Sequence, residues 1–269
     1  MRVTIAVDNL EQGNLQAEHG LSILVESDEG SLLFDTGQTD AVVANLNSLG
    51  ADLSKIRAIG LSHGHYDHTG GLRIVMSLTP NSTCWAHPEC FRSKYAASEQ
   101  GMRSIGIPGS SVVADKVVSY NRGPAEVLPG MILSGEIPLR GGVGVLEPRF
   151  LTDGGPGLIQ DTFEDEQCLV VRGETGTAVL IGCAHRGVEN NLLAAMEIAG
   201  TDEIKLAVGG MHLTNADEAR LNEVAGFLES TPIENIVCCH CTGRQAYEYL
   251  RARLGPRVIQ GRGGMSWEI

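Results

Sequence analysis

The chain has 269 residues, with 33 acidic against 20 basic side chains, for a formal charge of −13. That balance argues against nucleic acid or anionic lipid as partners, because both are normally met by basic patches. No apolar run reaches the roughly 18 residues a membrane span needs, while 42% hydrophobic residues are enough for a sizeable core.

Met1 to Val7 reads as a strand at once, with no apolar signal segment, so the expected compartment is the cytosol. Short Val/Ile/Leu-rich runs with Gly, Asn or Asp flanks continue the pattern at 21–26, 31–34 and 58–62. They return at 169–171, 177–182, 205–208, 235–239 and 257–259, and their length favours strands. The first two of these runs, joined by Ser27-Asp28-Glu29-Gly30, read as a hairpin. Helix-period segments are expected at 39–49, 70–78 and 188–199, at 216–230 behind an Asn215 N-cap, and from Thr242-Gly243 to a stop at Gly255-Pro256. His87-Pro88 reads as a surface turn before a helix at 88–95, and Glu164-Asp165-Glu166 as a solvated face. Residues 97–160 hold many Gly and Pro residues and little helical period, as an insertion or lid would. Gly141-Gly142-x-Gly144 inside it is no dinucleotide fingerprint, since no strand and helix flank it. Seven cysteines, an odd number at irregular spacing, fit reduced thiols better than a disulfide framework, and Cys238-Cys239-His240-Cys241 lacks the second pair of a zinc knuckle.

The chemistry gathers at Ser62-His63-Gly64-His65-Tyr66-Asp67-His68-Thr69-Gly70-Gly71, where four candidate ligands fall within positions 63–68 behind an apolar strand. In extended backbone His63 and His65 point to one side, and the turn that follows sends Asp67 and His68 elsewhere. Imidazoles with a carboxylate suit one or two divalent metal ions, zinc first, with manganese or iron as alternatives. Two histidines on one ion and an Asp–His pair on another would polarise a phosphoryl or carbonyl oxygen and activate a nucleophile.

The motif His-x-His-x-Asp-His, with Phe34-Asp35-Thr36-Gly37 upstream, resembles the metallo-β-lactamase superfamily. The resemblance implies an α/β fold, a four-layer αβ/βα sandwich with the metals at one edge. It further implies one domain over 1–269, with the loop-rich insertion or lid at about 97–160. By the same analogy His185 completes the site of His63 and His65, and His240 is the last ligand beside Asp67 and His68. Many members carry a bridging Asp where this chain has Gly182-Cys183, which leaves Cys183 or Asp161 as further contributors. Asp35 is expected to orient a ligand, Asp67 to orient the nucleophile as well as bind metal, and His212 to act as general acid or contact substrate. Arg186, ahead of a helix, is placed as a phosphate binder, and Glu18 and His19 as lining of the cleft.

Glu18-His19-Gly20-Leu21-Ser22, Gly182-Cys183-Ala184-His185-Arg186-Gly187, Gly209-Gly210-Met211-His212 and His240-Cys241-Thr242-Gly243 occur in this order. That set looks like the branch containing 7,8-dihydropterin-6-methyl-4-(β-D-ribofuranosyl)-aminobenzene-5′-phosphate synthase, a transferase that joins an arylamine to a pterin methyl diphosphate and releases pyrophosphate. The expected activity is a metal-dependent hydrolase acting on a phosphorylated or diphosphorylated small molecule, with that transferase as the alternative. A non-catalytic metal-binding or sensing protein is a further one, and a diiron redox enzyme is disfavoured because position 65 is His. The expected partner is a small anionic substrate, without nucleic acid or membrane, and self-association is left open.

Overall fold

The computed structural model describes residues 1–109, 118–140 and 146–269, so the Gly141–Gly144 run lies outside the described residues. The first sheet begins with β1 (Arg2–Val7), β2 (Ser22–Ser27), β3 (Gly30–Phe34) and β4 (Ile56–Gly60). β5 (Thr83–Ala86) and β8 (Val118–Tyr120) extend it on one side, and β18 (Ser266–Glu268) closes the other, in the order β18-β1-β2-β3-β4-β5-β8. The second contains β9 (Ala125–Leu128), β10 (Met131–Leu133), β13 (Leu169–Arg172), β14 (Thr177–Ile181), β15 (Leu206–Gly209), β16 (Asn235–Cys238) and β17 (Val258–Gln260), ordered β17-β16-β15-β14-β13-β10-β9.

Period-2 side-chain direction sorts each strand onto two apolar layers. Ile23, Val25, Leu32 and Phe34 of the first sheet meet Leu169, Val171, Ala178 and Leu180 of the second in a buried seam. Their neighbours Leu24 and Leu33 face outward, packing with Val42 and Leu46 of α1 (Ala41–Ser48) and Leu72 and Val75 of α3 (Leu72–Leu78). Val170, Val179 and Ile236 do the same on the far side, against Leu192 of α4 (Val188–Ala199), Val224 of α5 (Glu218–Glu229) and Leu250 of α6 (Arg244–Leu254). The result is an α/β sandwich of four layers.

Three expectations change. The helix capped by Asn215 starts later, because Asp217 is the residue whose side chain accepts the Arg220 N–H, at 2.8 Å. The expected helix at 88–95 is a single 3-10 turn, Pro88–Phe91, followed by strand β6 (Lys94–Ser98), and His87 before it is buried. Residues 97–160, read as loop-rich, carry strands throughout their described part. β8, β9 and β10 complete the two main sheets. β6, β7 (Gly101–Ser104), β11 (Phe150–Asp153) and β12 (Leu158–Gln160) form a separate four-stranded sheet. Phe150, with Phe163, brings that sheet against the histidines His65 and His185.

Both main sheets turn parallel where the chemistry lies, β3-β4-β5 in one and β14-β15-β16-β17 in the other. Asp35, His63, Cys183, His212 and His240 follow the carboxyl ends of β3, β4, β14, β15 and β16, so one edge of the sandwich collects them. All five described non-glycine residues with positive φ (Asp35, Phe163, Ala184, His212 and His240) sit at this edge. Left-handed backbone is costly for such residues and marks turns held by function and packing.

Candidate metal centre

The loop after β4 is shaped by a glycine and an acid. A Cβ on Gly64 would lie 1.9 Å from the Cys90 carbonyl oxygen, so no larger residue fits between His63 and His65. The Gly64 N–H donates to Asp165 at 2.7 Å, and Asp165 with Asp161 holds the buried Lys94 ammonium at 2.9 and 2.8 Å. The following helical turn, α2 (Tyr66–Thr69), carries Asp67 and His68 and brings the His68 ring against that of His63, centroids 4.4 Å apart, rather than sending it elsewhere.

Hydrogen-bond direction fixes which face each imidazole presents. A carboxylate only accepts, so His68 Nδ1–H donates to Asp35 at 2.7 Å and Nε2 is the nitrogen turned towards the other donors. The Ser62 hydroxyl also donates to Asp35, at 2.7 Å; its oxygen therefore receives His63 Nδ1–H, at 2.8 Å. His240 Nδ1 meets the Asn9 side-chain oxygen at 2.8 Å, which again leaves Nε2 bare.

These lone pairs converge. His63, His65 and His185 each hold a buried Nε2 that has no hydrogen-bond partner among the described residues. Burial comes first among the effects that push all three well below the usual histidine range, so they are neutral, the form that binds metal. The second group opens on Asp67, whose Oδ2 stands 3.3 Å from the bare His240 Nε2. Two such acceptors face each other favourably only across a cation. His68 Nε2 is 3.1 Å from Cys183 Sγ, and Cys183 lies within 4.8 Å of donors in both groups, with His63 and His185 on one side and His68 and His240 on the other. The donor set thus fits one or two divalent ions.

Other expected residues fall in different places. His19 reaches Asp67 Oδ2 with its Nε2 at 3.2 Å. The Asn9 amide nitrogen faces its Nδ1 at 3.5 Å, so the ring proton sits on Nε2 and is donated to the carboxylate. Burial alone would raise the Asp67 carboxyl; the hydrogen bond from His19, with the neighbouring histidine rings, outweighs it and holds the group ionised, well below the ordinary range. Glu18 accepts the Gln38 and Thr39 N–H groups and so shapes the turn after β3 rather than the cleft. Arg186 is also turned away: its buried guanidinium is spent on the carbonyls of Thr162 and Ile137 and on Glu136. Asp161 is engaged by Lys94 and the Phe163 N–H, which removes it from the ligands. His212 Nε2 meets Glu147 Oε1 at 2.5 Å; burial lowers its affinity for a proton, but Cys241 and Glu147 raise it, to a pKa of about 10.

Several contributors had no signal in the motif. Glu166, within the run read as solvated, is buried and accepts the His185 and Arg186 N–H groups at 2.5 and 2.7 Å. Phe163 stacks flat on His185, centroids 4.0 Å apart. Asp8, buried with its carboxyl pushed up to about 7, accepts the His240 N–H at 2.7 Å. Its position at the end of the first strand matches that of Asp35, and that parallel is the cue which could have found it. Above the histidines lies a cavity of about 420 Å³, whose walls include Tyr66, Arg103, Glu147, Arg149 and Phe150.

Residues 15–171 match the family profile described as the metallo-beta-lactamase superfamily. The chain belongs to this superfamily. Among solved structures it is similar to Tm1679, described as a metal-dependent hydrolase of the beta-lactamase superfamily. The two are 32% identical, with a TM-score of 0.86, covering 100% of this chain and 99% of that one. Among curated proteins it is 28% identical to 7,8-dihydropterin-6-methyl-4-(beta-D-ribofuranosyl)-aminobenzene-5′-phosphate synthase of Methanocaldococcus jannaschii, over 86% of this chain and 83% of the synthase. An uncharacterized protein of the same organism is 29% identical over 91% of both chains. Metallo-β-lactamase superfamily members typically bind divalent metals, and the buried imidazole nitrogens described above are where this member would hold them.

Proposed function

We propose that this chain is a metal-dependent enzyme that acts on a phosphorylated or diphosphorylated small molecule through an activated nucleophile. The observation that carries the reading is the trio of buried, unpartnered Nε2 atoms of His63, His65 and His185, set beside ionised Asp67 at the base of a cavity. One or two divalent ions, zinc by the donor set, supply Lewis acidity there when bound, with the second held by Asp67, His68, His240 and Cys183.

The remaining work belongs to side chains. Asp67, held by His19, orients the attacking group. His212 carries a proton shared with Glu147 and delivers it to the leaving group. Arg103 and Arg149 take the anion-binding role expected of Arg186, since both line the cavity, over the faces of Tyr66 and Phe150. An acidic chain needs such local cations, with the ions, to admit a negative substrate. Residues 1–269 then act as one domain, with the four-stranded sheet as a lid that excludes water.

A second reading, transfer of a pterinylmethyl group from its diphosphate to an arylamine with pyrophosphate as leaving group, is favoured by the 28% identity to the Methanocaldococcus synthase. A turnover screen with phosphodiesters, phosphomonoesters, lactones, and a pterin methyl diphosphate with and without an arylamine separates the two. The joint change His63→Ala with His65→Ala should abolish turnover and metal retention while the chain stays folded. Arg103→Ala with Arg149→Ala should raise KM about tenfold or more with metal content unchanged. Activity that survives the histidine changes would overturn the proposal.

A further inference from the structure

Beside the expected ligands lies a sulfur-rich group that the proposed reaction does not use as a unit. Cys183, Cys241 and His212 each place a donor atom within 4.8 Å of the other two. Cys241 Sγ is 3.4 Å from the Cys183 carbonyl oxygen. It also receives the His212 backbone N–H at 3.3 Å, the kind of contact that spreads charge from a thiolate. His212 is tied to Glu147 through Nε2, which leaves its buried Nδ1 with no partner among the described residues. All three residues line the cavity, so the group can be reached from solvent.

The backbone is built for this approach. A Cβ on Gly210 would lie 2.5 Å from both Cys241 Sγ and the Gly182 carbonyl oxygen, so only glycine lets the turn after β15 close over the sulfur. His212 itself, together with Ala184 beside Cys183 and His240 beside Cys241, has positive φ. Three strand-end turns therefore hold strained conformations that bring two thiols and one imidazole together.

We infer that Cys183, Cys241 and His212 form a further site for a thiophilic cation, one that prefers sulfur donors to oxygen and shares Cys183 with the second ion proposed above. Two thiolates and a nitrogen, with a fourth position open to the cavity, is a soft tetrahedral set, unlike the three-imidazole group beside it. Because Cys183 also borders His68 and His240, a soft ion seated here would compete with the oxygen-ligated ion for that sulfur. Bound through Nδ1, it would also fix the His212 ring. The inference draws Cys183 and His212 from the roles proposed above, and its test reads bound cation and not turnover, so the two can fail separately.

Cadmium alone is the probe. Full-length protein loaded with zinc is titrated with Cd²⁺, and thiolate-to-cadmium charge transfer is followed in the ultraviolet. One added equivalent should appear with absorbance from two thiolates. Cys241→Ser or Cys183→Ser should halve it, the double change should remove it, and His212→Gln should weaken it. The His63→Ala, His65→Ala protein should retain the signal, which separates this site from the imidazole group. A signal unchanged in Cys241→Ser, or lost with the two histidines, overturns the inference. Cys241→Ser, made at the more exposed of the two sulfurs, decides the matter if Cys183→Ser does not fold.

Discussion

Asp35 acts through direction more than through charge. One carboxylate accepts from His68 directly and from Ser62, whose oxygen in turn accepts from His63, so two imidazoles are oriented with Nε2 turned towards the other candidate ligands. Asp35→Asn would give one of these partners an N–H where an acceptor is required. Metal affinity, read by competition with a chromophoric chelator, should fall about 10- to 100-fold, while far-ultraviolet circular dichroism stays as in the parent. At this scale the sequence was informative wherever a residue ends a strand, as with Asp35, His63, His185 and His240. It misled at Glu164-Asp165-Glu166, since a run of acids has the same composition whether it faces water or buried N–H groups. Arg186 failed for a related reason: its helix N-terminus was legible, but the carbonyls of Thr162 and Ile137 that capture it come from distant segments.

Among the elements, β6 links the four-stranded sheet to the metal loop through Lys94. That ammonium is buried between Asp161 and Asp165, and Asp165 in turn receives the Gly64 N–H, so an ion triad transmits the position of one sheet to the turn between His63 and His65. Lys94→Met leaves two carboxylates buried without a counter-charge, a change that typically costs roughly 3–5 kcal/mol. Urea unfolding should show a loss in that range, and the Gln variant should be no better. The apolar strands were legible because burial on both faces calls for consecutive apolar residues, as in Leu32–Phe34 of β3 and Ala178–Ile181 of β14. Strands of three or four residues such as β8, β11 and β12 carry too few side chains for a period to show. The segment at 88–95 misled because Pro88 opens a helical turn that stops within four residues.

For the whole molecule, two apolar outer layers and a central seam provide a core independent of any ion. Stripping metal with a chelator should therefore lower Tm without unfolding the chain at room temperature, in contrast to small zinc-dependent folds. Ligand at a thousand times its Kd adds about 4 kcal/mol. For a chain of this size that corresponds to a drop in Tm on the order of ten degrees, measurable by calorimetry.

His63 and His65 leave the first sheet, and His185 leaves the second, more than a hundred residues later. An ion shared among them is a clasp between the two halves of the sandwich, closing a long loop much as a covalent cross-link would. Its release rate then sets how often the halves can part. Amide hydrogens of β4 and β14 should lose protection together when metal is removed, although they lie in different sheets. Strands several places along the sheet from the clasp, such as β18, should exchange as before, so the site would govern the lifetime of the fold as well as its chemistry.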